Sequence, residues 1–195
     1  MDIKGVKVGL AGVYELAEHI ECKQDMLDNI ASLKEQGAQI IIVSFHWGQE
    51  KENVPNDVQV ELAHTAIDNG ADLVLGHHPH VLQGIEEYKG KDIVYSLGNF
   101  CFGGNSAPSD MDTMIFQQTF TVKDGKLQED NVTNILPCKI SSAYQEGYNN
   151  YQPVLAEGEQ KEKIFQRLSE YSEKAQEAGD RLAQETSSED KKDSE

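Results

Sequence analysis

Residues 71–100 read ADLVLGHHPHVLQGIEEYKGKDIVYSLGNF. The run opens as an apolar strand at residues 72–75, passes through a histidine-dense turn, and leaves as a hairpin around Lys89-Gly90. Three of the chain's six histidines, His77, His78 and His80, sit at the end of that strand. Pro79 fixes its own φ and biases His78 toward an extended conformation. Residues two apart in an extended segment face the same way. His78 and His80 are therefore expected to chelate together, with His77 turned aside. Neutral imidazole is a ligand for Zn, Mn, Fe or Ni.

Working outward, residues 39–45, QIIIVSF, are apolar at nearly every position and rich in β-branched side chains. Such strands are expected to be buried on both faces, as in a parallel sheet covered by helices. His46 stands at the carboxyl end of this strand. A polar loop over residues 48–56 follows, then a helix capped by Asn56 or Asp57, with Val58, Leu62, Ala63, Ala66 and Ile67 on its buried side and Gly70 at its stop. A strand within residues 4–13 and a helix over residues 25–36 precede them. The order strand–helix–strand–helix–strand is that of right-handed parallel crossovers.

Open parallel sheets bind ligands at the carboxyl ends of their strands. His46 and the His77–His80 cluster are therefore one constellation despite their separation in sequence. His46, His78 and His80 are the predicted metal ligands. His77 is either a hydrogen-bonding neighbour of the ligands or without a special role. Trp47 either walls the site or packs beneath it. Glu50 reads first as a solvated loop residue, although it is within reach of an imidazole or a metal. Asn99, after the strand ending in Ser96-Leu97, faces the same crevice or is a turn residue. His19 and His64 read as ordinary polar and packing residues.

Beyond Gly76 the pattern becomes antiparallel. Residues 113–122 and 127–136 flank Lys123-Asp124-Gly125-Lys126, a second hairpin signal. The predicted organisation is a domain over residues 1–140, a loop over 141–159, a helix over 160–184 and a disordered acidic tail over 185–195. The helix carries a stripe at Ile164, Leu168, Tyr171, Ala175, Ala178 and Leu182. That stripe either docks on its own domain or binds a partner; Gly179 weakens it.

The totals narrow the function. In 195 residues the formal net charge is −17, which argues against nucleic acid and against anionic lipid as partners. Three scattered cysteines make no disulfide framework. No apolar run approaches the ~18 residues of a membrane span, and the N-terminus lacks the basic region and cleavage site of a signal peptide.

Three stretches, IIIVSFHWGQE (residues 40–50), ELAHTAIDNGADLVLGHHPHVLQGIE (61–86) and KDIVYSLGNF (91–100), resemble the CapA family of capsule and poly-γ-glutamate synthesis proteins. That family lies within the calcineurin-like metallophosphatase superfamily. The resemblance implies an α/β fold, of which this chain is the C-terminal portion: a metallophosphatase-like αββα sandwich, parallel strands followed by antiparallel hairpins, with a C-terminal helix. It implies a divalent metal, Zn, Mn or Fe, as one or two ions, and metal-dependent phosphoesterase chemistry at His46, His78 and His80. It also implies an anionic or phosphate-containing substrate, membrane proteins of polymer synthesis as partners, and a cell-surface or membrane-associated location. The superfamily's early aspartate motifs have no match before His46, so three imidazoles around a single ion fit better than a bridged pair. The alternatives are a non-catalytic component of a polymer synthesis or export assembly, and an inactive fragment.

Overall fold

The β-branched run after Gln39 becomes a central strand of a six-stranded sheet. The computed structural model describes residues 1–128 and 132–192. In chain order the elements are β1 (Asp2–Ile3), β2 (Val6–Tyr14), α1 (Glu15–Glu18), a single 3-10 turn (His19–Glu21), α2 (Cys22–Glu35), β3 (Ile40–His46), α3 (Asp57–Asp68) and β4 (Leu73–His77). They continue as β5 (Ile85–Tyr88), β6 (Lys91–Val94), β7 (Asp112–Thr119), β8 (Val122–Lys123), β9 (Lys126–Leu127), β10 (Val132–Lys139), β11 (Val154–Leu155) and α4 (Gly158–Lys192). The result is a mixed α/β fold.

The main sheet runs β1-β2-β3-β4-β6-β5. β2, β3, β4 and β6 are parallel; β1 and β5 close the edges antiparallel. The crossovers are α2 and α3. Asn56 caps α3 with a reciprocal box: its side chain accepts from Gln59 N, and the Gln59 side chain accepts from Asn56 N. Lys89 and Gly90, at φ 51° and 73°, turn β5 into β6, the left-handed pair that a two-residue hairpin needs. Asp124 and Gly125 turn the short β8–β9 ribbon likewise. β7 and β10 pair from Thr119↔Val132 to Asp112↔Lys139, and β11 completes a three-stranded antiparallel sheet. Residues 129–131, inside the expected second arm, lie outside the described residues.

Two apolar clusters hold these layers. The larger puts Met26 and Ile30 of α2, with Val60, Leu62 and Ala63 of α3, against Ile41, Val43, Phe45, Val74 and Ile93 of the sheet. The smaller joins Leu82, Val94 and Met114 to Ile164 and Leu168 of α4. Burial on both faces of β3 does not follow throughout. Ile42 and Ser44 are half-buried, and Leu10 of β2 is 54% exposed. The cause is coverage: the second cluster reaches only Leu75, Val94 and Ile85, on the β4-β6-β5 side.

α4 docks on its own domain. Ile164, Leu168, Ala175 and Ala178 of its stripe are buried, and Leu182 packs against the larger cluster. Ser172 Oγ accepts from Ile85 N at 2.9 Å. The helix backbone passes so close to Gly84 that a Cβ there would collide with the Tyr171 carbonyl. Gly179, which interrupts the stripe, lies against the buried carboxylate of Glu86. That carboxylate also accepts from Tyr95 Oη at 2.6 Å and pairs with His64 Nε2 at 2.8 Å. His64 is thus a buried, bonded residue, and burial beside Glu86 holds the Tyr95 hydroxyl well above its usual range. The helix begins at Gly158 and continues to Lys192, overrunning the stretch expected to be disordered from residue 185; residues 193–195 lie outside the described residues. Among the described residues no helix is long and apolar enough to cross a membrane.

Candidate metal centre

Parallel pairing lines up three residues at the carboxyl edge of the sheet. Tyr14 lies opposite His46, and His46 opposite His77. Successive residues of a strand face opposite sides. The Tyr14 ring accordingly stacks on His46 with centroids 5.5 Å apart. Trp47 drops to the other side and is fully buried, 4.2 Å from the Phe45 ring. Its Nε1 donates to the Tyr95 carbonyl at 2.9 Å, and its backbone N to the His77 carbonyl at 3.1 Å. Trp47 therefore packs beneath the site. It also explains Gly76, where a Cβ would collide with the Tyr95 carbonyl and approach Trp47 Nε1.

The turn His77-His78-Pro79-His80 is not extended. His78 has φ 99° and His80 φ 59°, so the face-sharing expected from Pro79 is not what brings them together. Tertiary hydrogen bonds override the pre-proline bias. Lys51 N donates to the Pro79 carbonyl at 2.8 Å, Asn99 Nδ2 to the His80 carbonyl at 3.1 Å, and Ser96 Oγ to the Val81 carbonyl at 2.7 Å. Lys51 itself sits at φ 69°. Left-handed backbone at a non-glycine residue costs about 1–3 kcal/mol and persists where surrounding structure enforces it, often at functional sites. Here three such residues meet.

The turn nevertheless unites the predicted pair. The His78 and His80 rings lie 5.8 Å apart, and His46 lies 4.8 Å from His78. Candidate ligand atoms of Glu50, His78 and His80 all fall within 4.8 Å of one another. Glu50 thus joins the centre, although a loop glutamate reads first as solvated; His46 stands beside this group rather than within it. Ligands of a tetrahedral zinc at ~2.0–2.1 Å would sit about 3.4 Å apart, so modest side-chain closure suffices.

The donor chemistry fits a divalent ion. Asn99 is 6% exposed and brackets His80. Its Oδ1 meets His80 Nδ1 at 2.7 Å while its Nδ2 donates to the His80 carbonyl. The second bond fixes which end of the amide is oxygen, and an amide oxygen can only accept. His80 Nδ1 therefore carries the proton, and Nε2 presents its lone pair, as in metal-bound histidines held by an outer hydrogen bond. Burial, with His46 and His80 nearby, lowers the His78 pKa against the opposing pull of Glu50 and Glu15. Burial and His46 lower that of His77. Both effects favour neutral imidazoles.

Glu15 is a contributor that sequence reasoning missed. It follows Tyr14 at the carboxyl end of β2, opens α1 and is 5% exposed. One oxygen accepts from Gly48 N at 3.1 Å, and the other meets His19 Nδ1 at 3.2 Å. It thereby ties down the loop between His46 and Glu50. Its position at a parallel strand's carboxyl end was the available signal.

The profile of the bacterial capsule synthesis protein family PGA_cap matches residues 4–104. This chain belongs to the PGA_cap family. Every residue of the centre lies within the matched region. The PGA biosynthesis protein CapA of Bacillus subtilis is 58% identical over 65 residues, covering 33% of this chain and 17% of that protein. The capsule biosynthesis protein CapA of Bacillus anthracis is 49% identical over 69 residues, covering 35% and 17%. A Mycobacterium tuberculosis protein named "Probable polyglutamine synthesis accessory protein" is 36% identical over 80 residues, covering 40% and 21%. The chain spans about a sixth of the length of each of the two CapA relatives.

Proposed function

We propose that this PGA_cap chain serves capsule or poly-γ-glutamate synthesis through a metal-dependent phosphoesterase-type site. The convergence of Glu50, His78 and His80 at the carboxyl edge of parallel strands carries the reading. The six-stranded and three-stranded sheets correspond, on this view, to the two sheets of a metallophosphatase-like sandwich. Glu50, His78 and His80 Nε2 would hold the divalent ion. When bound, such an ion supplies a Lewis acid and a water acidic enough to act near neutral pH.

The protein's own groups do the rest. Asn99 keeps His80 in the ligating tautomer. His46, exposed and beside His78, exchanges protons with the substrate or joins the ligands. His77, the last residue of β4 and the first of the turn, supports it through its carbonyl, which accepts from Trp47 N. Membrane proteins of polymer synthesis are the partners this role implies, at the cell surface.

A second reading is a non-catalytic accessory component, in which the centre is structural. The mycobacterial relative, named an accessory protein, favours it. The two readings separate with the chromogenic diester bis(p-nitrophenyl) phosphate and Zn, Mn or Fe. Metal-dependent cleavage that disappears in Glu50→Ala and His78→Ala supports the enzyme. Metal binding with no cleavage supports the accessory role.

A further inference from the structure

A cavity of about 400 Å³ opens directly beside the centre, within the size range of small-molecule pockets. Glu50, His80 and Asn99 form its near wall; Phe102, Asn105 and Pro108 form the far one. Lys51 brings a positive charge to the lining, in a chain whose net charge is −17. The Phe102 ring lies 4.9 Å from the His80 ring, tilted by 42°.

The far wall is pre-formed. Asn149, fully buried, donates through Nδ2 to the carbonyls of Phe102 and Asn105, each at 3.1 Å. Its backbone N donates to the Ser106 carbonyl at 2.8 Å. Arg167 of α4 grips the end of the same loop, bonding Asp110 at 2.6 and 3.2 Å and also Asp112. The Lys51 backbone is fixed at the base by its N–H bond to the Pro79 carbonyl, which leaves its exposed side chain free to reach a ligand. The residues from 105 onward, with Asn149 and Arg167, lie outside the family match at residues 4–104. The metal centre and Phe102 lie within the matched region, whereas the rest of the far wall and its supports lie beyond it.

We infer that this cavity selects a small ligand with two anionic ends. One end, phosphoryl-like, meets the centre formed by Glu50, His78 and His80; the other, a carboxylate, meets Lys51; a flat apolar part between them lies on Phe102. The first end rests on the metal reading above, and the second does not. A lysine near an otherwise acidic surface discriminates by charge sign. The Phe102 face contributes area without choosing a charge.

The test titrates the full chain, with and without zinc, with 4-carboxyphenylphosphonate and with 4-carbamoylphenylphosphonate, in which a neutral amide replaces the carboxylate and the phosphonate is kept. The carboxylate should bind about tenfold more tightly, the scale of one charge-assisted hydrogen bond. Lys51→Gln should erase that ratio, Lys51→Arg should keep it, and Phe102→Ala should weaken both probes alike. Equal binding of the two probes, no binding of either, or a ratio unchanged in Lys51→Gln overturns the inference. Zinc that fails to bind overturns the metal centre instead, and the ratio measured without zinc still decides the pocket.

Discussion

Asn99 holds His80 from both ends: its amide oxygen meets Nδ1 at 2.7 Å and its amide nitrogen donates to the carbonyl at 3.1 Å. One side chain thereby sets the ring's tautomer and pins a backbone held at φ 59°. Asn99→Ala should weaken zinc binding about ten- to a hundredfold, the usual effect of losing an outer hydrogen bond to a ligating histidine. Competition with a chromophoric chelator measures this. Asn99→Asp, which keeps the acceptor, should retain more affinity than Asn99→Ala.

The ligand set can be ordered by geometry. Glu50 belongs to the group within 4.8 Å, and His46 lies beside it. Glu50→Ala should therefore cost more zinc affinity than His46→Ala, measured by the same competition. The reverse order would restore the three-histidine set expected from sequence.

Strain gives a prediction about the metal-free protein. His78 at φ 99° adopts a conformation that glycine reaches without a Cβ penalty. Relief of about 1–2 kcal/mol should offset the roughly 0.5–1 kcal/mol that glycine's extra chain freedom costs. His78→Gly should melt no lower than wild type in chelator while losing zinc binding. A drop of several degrees would show that His78 is held for packing.

Much of the fold was legible in sequence because its signals were local. The β-branched run before His46, Asn56 as a helix cap, and the Lys89-Gly90 turn each act over a few residues. The pairing of His46 with the later cluster followed from strand polarity. Glu50 was a candidate whose solvated reading ranked first, and Glu15 was not legible, because their placement depends on how a loop folds back across strand ends. Pro79 illustrates the limit. Its local bias pointed to an extended pair, yet bonds from Lys51 and Asn99, distant in sequence, set a left-handed turn. Open coverage of Leu10 and the β2–β3 face was hidden for the same reason.

The cysteines should separate by reactivity. Cys22 and Cys138 are buried, and Cys101 is exposed. Burial, with Glu15 and Glu18 nearby, pushes the Cys22 thiol up to about 11, and burial raises Cys138 too. A raised thiol pKa leaves little thiolate, the reactive form, at pH 8. Native protein should react rapidly with a thiol reagent at Cys101 alone, and at all three positions once denatured. Rapid native labelling of Cys22 would contradict the packing of α2 on the sheet.

Whether Glu50, His78 and His80 form a divalent-metal site is decided by calorimetric titration of chelator-stripped protein with zinc. Wild type should bind one zinc per chain, and His78→Ala/His80→Ala that remains folded by circular dichroism should bind none. Undiminished binding in that double variant, or no binding in wild type, would contradict such a site.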